Sequence, residues 1–386
     1  MRDLYRPLDE LVVQSRQVVS ASKNGDLPYV GLEHLEPGCS TLTEMGSPED
    51  SVSANGVFRP GDVLFGKLRP NLRKCVLSDR DGYCSTDIMV LRAREGIEPA
   101  YAGWVLRSER VVAEAVRTAE GTKMPRTSWS RLKCLRVFAP PMPEQRRIVE
   151  VLDAVAETER SIEASMQKLR TLRAGVLEEL SAFEVTELGQ VLASGPKNGL
   201  YKPGSAYGAE GTPIVRINSF EGGPSDLTRG LLRIAATGRE IRQYGIQSGD
   251  ILINRVNTPE LVGKSTAVAR LNEPTVFESN VMRCTLNPER ALPGFTEAWL
   301  GTATVKAHFL RRAKSAVSQA SINRSDVLSC PFPVADVAEQ REFLRRLDAV
   351  DSQCSAGAEE LLKLRKLKRG LADDLLTARV RINGFA

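Results

Sequence analysis

The segment EQRRIVEVLDAV, Glu144–Val155, returns as EQREFLRRLDAV, Glu339–Val350, 195 residues later. The register runs without a gap from Glu144–Leu180 against Glu339–Leu375. Leu152/Leu347, Asp153/Asp348, Lys168/Lys363, Leu169/Leu364, Arg170/Arg365, Leu172/Leu367, Gly175/Gly370 and Leu180/Leu375 are identical, and Glu178-Glu179 faces Asp373-Asp374. A chain that carries one element twice, at half its length, is constrained to fold as two similar parts. Its 386 residues also exceed one ordinary domain.

Both copies read as long helices. In the first, Ile148, Val151, Val155, Thr158, Ile162, Ser165, Leu169, Leu172 and Val176 alternate at spacings of three and four, a coiled-coil seam. The second copy is rougher: Leu344, Leu347, Val350, Cys354, Ala358, Leu361, Leu364, Leu367 and Leu371. Pro140, Pro141 and Pro143 set the start of the first helix, and Pro331 and Pro333 precede the second. Helices of roughly 35 residues are about 50 Å long at ~1.5 Å per residue. Neither can bury an apolar stripe alone, so the simplest partner for each is the other.

The repeat extends upstream more weakly. RPGDVLFGKLRPNLRK (59–74) matches QSGDILINRVNTPELVGK (247–264), with Gly61-Asp62 opposite Gly249-Asp250. YVGLEHLEPG (29–38) resembles PIVRINSFEGG (213–223), and CSTDIMVLRA (84–93) parallels FESNVMRCTL (277–286). Each half therefore reads as a strand-rich mixed domain followed by a long helix. The expected division is 1–141, 142–182, 183–333 and 334–386. The globular parts have diverged far more than the helices, which suits a device that reads two different things.

Charge is permissive rather than decisive. The four segments carry net charges of +2, −2, +4 and +1, which total +5. That allows a nucleic-acid partner without requiring one. Seven scattered cysteines without a CxxC pair fit reduced thiols. No apolar run approaches the ~18 residues of a membrane span, and MRDLYRPLDELVV lacks a signal-peptide core. A cytoplasmic protein is expected.

The usual catalytic signatures are missing. PELVGKST (259–266) suggests a phosphate loop, but Thr258 stands where the first glycine should be and a strand-like run follows. No glycine-rich fingerprint opens a βαβ unit. No Asn-Pro-Pro-Tyr-type tetrapeptide is present. The only histidines, His34 and His308, are far apart and lack metal-ligand spacing. The chain is expected to be non-catalytic.

PPMPEQRRIVEVLDAV with KLRTLRAGVLEEL, the second copy AEQREFLRRLDAV with KLRKLKRGLADDLL, and GDVLFGKLRPNLRK together resemble the specificity subunit of type I restriction-modification systems. The resemblance spans nearly the whole chain. It departs at Val337-Ala338, which replace the Met142-Pro143 of the first copy, so the turn into the second helix should differ. The resemblance implies an α+β fold with two target-recognition domains separated by two long helices. These helices would pair as an antiparallel coiled coil under a pseudo-twofold repeat. It implies that each domain binds half of a bipartite double-stranded DNA target, and that helix length sets the unread gap. It further implies docking of two methyltransferase subunits, and of restriction subunits. S-adenosylmethionine and ATP would sit on those partners, and this chain would bind no cofactor. A paired-helix scaffold for two protein-binding domains is the alternative.

DNA contacts are expected from Arg and Lys on phosphates, and from Arg, Asn or Gln on base edges. In the first domain the candidates are Lys67, Arg69, Asn71, Arg73 and Lys74, with Lys123 and Arg126. In the second they are Arg216, Asn218, Arg255, Asn257, Lys264, Asn323 and Arg324. KAHFLRRAK (306–314) is a basic, helical stretch that could line a phosphate path. The low aromatic content, 5%, offers no stacking platform for single strands.

Overall fold

The computed structural model describes residues 4–20, 27–50, 54–315 and 319–382. It resolves into two compact units. The first holds residues 1–164 and 359–386, and the second holds residues 165–358. Seven helices matter here: α1 (Pro99–Arg107), α2 (Glu109–Arg117), α3 (Met142–Glu178), α4 (Pro293–Leu300), α5 (Ala303–Arg312), α6 (Arg324–Leu328) and α7 (Val337–Leu376). Among the described residues no helix is long and apolar enough to cross a membrane.

The first unit is built on an antiparallel four-stranded sheet, ordered Val12–Gln14, Ile88–Ala93, Asp62–Gly66, Cys75–Leu77. The strand Asp62–Gly66 is buried throughout. It is therefore apolar at nearly every position instead of alternating. Tyr101, Val105 and Leu106 of α1 pack on one face of this sheet, with Ile148 and Leu152 of α3 and Leu375 of α7 completing the same core. A second sheet runs Val18–Val19, Asn55–Phe58, Gly82–Cys84, Tyr29–Val30, the last pair parallel.

The second unit repeats this plan. Its main sheet runs Leu192–Asn198, Val281–Leu286, Asp250–Asn254, Ser265–Ala267. Phe295 and Trp299 of α4 and Phe343 and Leu347 of α7 fill its core. The matched Gly-Asp pairs have one job in both units. Gly61 and Gly249 turn the chain at φ +85 and +92, a region that favours glycine. Asp62 and Asp250 are buried and accept the backbone N–H of Arg59 and Gln247, three residues back, at 3.0 and 2.8 Å. The motif is thus a strand-entry turn.

The smaller sheets depart from the repeat. In the first unit the antiparallel strand Asn55–Phe58 joins Gly82–Cys84. In the second, Leu232–Ile234 joins Thr212–Val215, on the other member of the parallel pair. The domains have diverged in strand connection as well as in side chains.

The long helices pair antiparallel within each unit. In the first, Glu159 of α3 receives Arg365 and Lys368 of α7. In the second, Arg173 of α3 grips Asp351 of α7, and Arg346 grips Glu179. The predicted seam needs correction. Thr158, Ser165, Leu172 and Leu367 are exposed, and Leu152, Ala156, Glu159 and Met166 are buried instead. α3 packs on its own domain core as well as on α7. Its buried stripe is therefore wider than a two-helix seam and slips off the a/d positions. The second helix entry does differ. Asp336 accepts the N–H groups of Ala338 and Glu339, and Glu339 accepts that of Asp336, a reciprocal cap where the first copy uses proline.

Candidate nucleic-acid interface

The structure joins candidates that lie far apart in sequence. In the first unit, Leu68 bridges Arg126, Arg69 N–H donates to Pro125 O at 2.8 Å, and Thr127 N–H donates to Lys67 O at 3.0 Å. The loop 67–74 and the run 123–127 are thus one surface. In the second unit, Val256–Asn257 pairs with Ala320–Ser321, which brings Arg255 beside Asn323 and Arg324 and sets Asn257 opposite Ala320. The two junctions are counterparts: Arg126 and Ser321 are also 195 residues apart.

Individual side chains differ in how free they are. Arg69, Asn71 and Lys123 are exposed and, among the described residues, their side chains make no hydrogen bond or ion pair. Arg69 and Arg73 flank the turn Pro70–Leu72 at φ 49 and 55, in the left-handed region that disfavours side chains. Arg73 forks onto Glu109 at 3.0 and 2.8 Å, and Arg126 onto Asp87 at 3.0 and 3.1 Å. Lys67 donates to Thr86 O, and Lys74 to Leu32 O at 2.6 Å. These four shape the loop, and each would have to leave a partner to reach a phosphate.

In the second unit Asn218 is exposed and its side chain makes no hydrogen bond among the described residues. Arg216 lies 4.8 Å over the Tyr207 ring and 3.3 Å from Glu278. Lys264 lies 5.4 Å over Phe220, and burial pushes its pKa down. Asn257 accepts the Thr258 N–H. Asn323 caps α6, accepting from Ser325 and Asp326 N–H at 2.8 and 3.2 Å. That accounts for its side-chain oxygen structurally.

An open groove of about 810 Å³ runs beside this junction, lined by Lys197, Arg255, Arg283, Lys314 and Arg324 with no carboxylate among the described lining residues. Arg324 makes one long bond, 3.5 Å to Gly195 O. The Arg255 Nε is enclosed and has no hydrogen-bond partner. Arg283 is 4.0 Å from Asp250 beneath the groove. Five cations on one concave surface focus a positive potential outward.

No protein-family model matches the chain. It is 26% identical over 363 residues to the type I restriction enzyme EcoKI specificity subunit of Escherichia coli, covering 87% of this chain and 77% of that protein. It is 20% identical over 401 residues to the MjaVIII specificity subunit of Methanocaldococcus jannaschii, covering 95% and 89%. Among solved structures, a chain from a type I R-M system matches with a TM-score of 0.64 at 21% identity, covering 97% of this chain and 98% of that one. The S subunit from M. genitalium matches at 0.56 and 15%, covering 96% and 95%. The structural matches establish a shared fold along the whole length of both chains.

The chain is similar along most of its length to specificity subunits of type I restriction enzymes.

Sequence reasoning missed Lys197 and Arg283 as groove residues. Arg283 carried a signal: it is the polar interruption in the otherwise buried start of the strand VMRCTL. Lys197 carried none, because its strand reaches the groove from nearly 60 residues upstream of Arg255. Of the stretch 306–314, only Lys314 lines the groove. His308 is buried against Asp326 O at 2.9 Å, and burial lowers its pKa. The Gly-Lys-Ser run leads into the strand Ser265–Ala267, so the helix that a phosphate loop requires is replaced by β structure.

Proposed function

We propose that this chain is a specificity subunit that reads double-stranded DNA as two half-sites around an unread gap, and positions methyltransferase subunits there without catalysing a step itself. The observation that carries the reading is the doubled junction. One backbone arrangement presents Lys67, Arg69 and Arg126 in the first unit, and Arg255, Asn257 and Arg324 in the second. The same scaffold with different polar side chains suits two readers of different sequence.

Two methyltransferase copies are the proposed complement. Lys168/Lys363, Leu172/Leu367 and Gly175/Gly370 are identical between the helices although all six are exposed. Leu172 and Leu367 are 53% and 60% exposed. Internal packing does not require these identities, but contact with two copies of one partner does. Restriction subunits would join the same assembly. S-adenosylmethionine and ATP would be carried by the partners, in the cytoplasm.

A selection from a pool of randomised duplexes with the purified chain tests this. Two enriched blocks separated by an unconstrained gap are expected. Enrichment of one continuous block, or none, would favour a protein scaffold instead.

A further inference from the structure

The first unit contains a second cavity, about 240 Å³, between α1, α2 and the end of α7 from Lys368 to Leu376, with Thr377 just beyond it. Its wall is largely apolar, with Trp104, Val105, Ala156 and Leu376 among the lining residues. Five cations also face it. Three are neutralised by carboxylates: Arg73 and Arg369 share Glu109, and Lys368 binds Glu159. Asp373, the other acid at the cleft, takes Arg379 at 2.8 Å.

Arg107 and Arg110 have no carboxylate partner among the described residues. Arg110 Nε donates to the Arg136 carbonyl at 2.9 Å. Arg107 lies over the Trp104 ring at 4.6 Å, and its one hydrogen bond is a long 3.4 Å contact from Nη1 to Ser40 O. Its Nε is enclosed and has no partner. A guanidinium offers five donors and keeps its charge, and here the enclosed Nε donor goes unused. Desolvating a guanidinium without a hydrogen-bonded carboxylate is costly. The fold does not demand it. The residue 195 positions later is Thr302, whose hydroxyl bonds the Trp299 carbonyl at 2.7 Å. The second unit therefore folds without an arginine at that place.

We propose that this cleft binds a small organic carboxylate, its charge held by Arg107 and Arg110 and its apolar body by the wall around Trp104 and Leu376. Arginine and carboxylate match in geometry as well as charge. The volume is below the ~300–1,000 Å³ of sites for drug-sized ligands, which points to a body the size of a benzene ring or a short alkyl chain. A bare phosphate would leave the apolar wall uncovered, and a neutral alcohol would leave the guanidinium unpaired.

Calorimetric titration of the purified full-length chain with benzoate and hexanoate, each against its alcohol, tests the site. At least one acid should bind at a single saturable site, and neither alcohol should. R107Q should weaken that binding by at least about ten-fold, and R110Q, an exposed position that tolerates change, by several-fold. The double variant K197E/K314E should bind the acid as the wild type does. The proposal is overturned if neither acid binds, if an alcohol binds as tightly as its acid, or if R110Q retains full affinity. Loss of binding in K197E/K314E would place the anion in the groove of the second unit and overturn it equally. Should R107Q fail to fold, R110Q and the alcohols decide the matter.

Discussion

Gln145 and Gln340 make the same three hydrogen bonds in two separate units. Each Oε1 accepts a backbone N–H, from Glu98 at 2.9 Å or Leu292 at 2.8 Å. Each Nε2 donates to the carbonyl five residues back, Pro140 at 2.8 Å or Ala335 at 2.9 Å. Each also donates to a loop carbonyl, Gly96 at 3.2 Å or Arg290 at 2.8 Å. The glutamine of the repeated Glu-Gln-Arg motif is thus a buried staple. It fastens the start of a long helix to the loop that leads into α1 or α4.

Replacing either glutamine with leucine keeps the bulk and leaves one N–H and two carbonyls without their partner. Both side chains are 1% exposed or less. We expect each substitution to cost about 1–3 kcal/mol, read from urea unfolding of the purified chain. A loss below about 0.5 kcal/mol, the usual range for a surface change, would mean that water replaces the staple.

Glu159 gives the first unit a pH dependence. Burial pushes its carboxyl up, but Lys368 and Arg365 outweigh this and hold it below the ordinary range. A carboxylate depressed in the folded state stabilises fully above its unfolded pKa of about 4.3. That contribution is lost as pH falls through the folded value. We expect E159Q to cost about 1–3 kcal/mol at pH 7 and to remove this part of the acid-side loss. Unfolding curves from pH 7 down to pH 3 would show the two proteins converging.

The groove of the second unit separates affinity from specificity. K197E/K314E should weaken DNA binding to all sequences alike, and lower the slope of log K against log salt by about 1 for each phosphate no longer neutralised. R255A should instead relax one base position, with a discrimination loss of about 1–3 kcal/mol. Fluorescence titrations against matched and mismatched duplexes at several salt concentrations distinguish the two.

Gly175 and Gly370 should behave oppositely in folding and in assembly. A methyl group added at either would meet nothing within 4 Å. Glycine inside a helix costs roughly 1 kcal/mol relative to alanine. G175A and G370A should therefore stabilise the free chain slightly. If a partner backbone approaches there, G175L and G370L should each weaken capture of a methyltransferase subunit, and the pair should abolish it. Co-purification yields measure this.

The architecture was legible because helices keep their period and anchors keep their register. Gln145/Gln340 and Gly61-Asp62/Gly249-Asp250 were visible as repeats, although their mechanical roles were not. The coiled-coil seam was misplaced because spacing alone cannot show that α3 also packs on its domain core, which draws Leu152 and Ala156 inward. Candidate DNA-binding side chains were harder still. Sequence marks Arg73 and Arg126 as basic, but Glu109 and Asp87, which occupy them, come from segments more than 35 residues away. Lys197 and Lys314 meet only because strands over 100 residues apart converge on one groove.

The most direct measurement is a map of methylated bases in a host that lacks adenine methylation. The chain would be expressed with the methyltransferase subunit of its own system, and omitted as the control. We expect adenine methylation at a two-part motif with a fixed gap, seen only when the chain is present. A stable co-purified complex that methylates no site, or that methylates one continuous motif, would contradict the reading of two half-sites by two repeated domains.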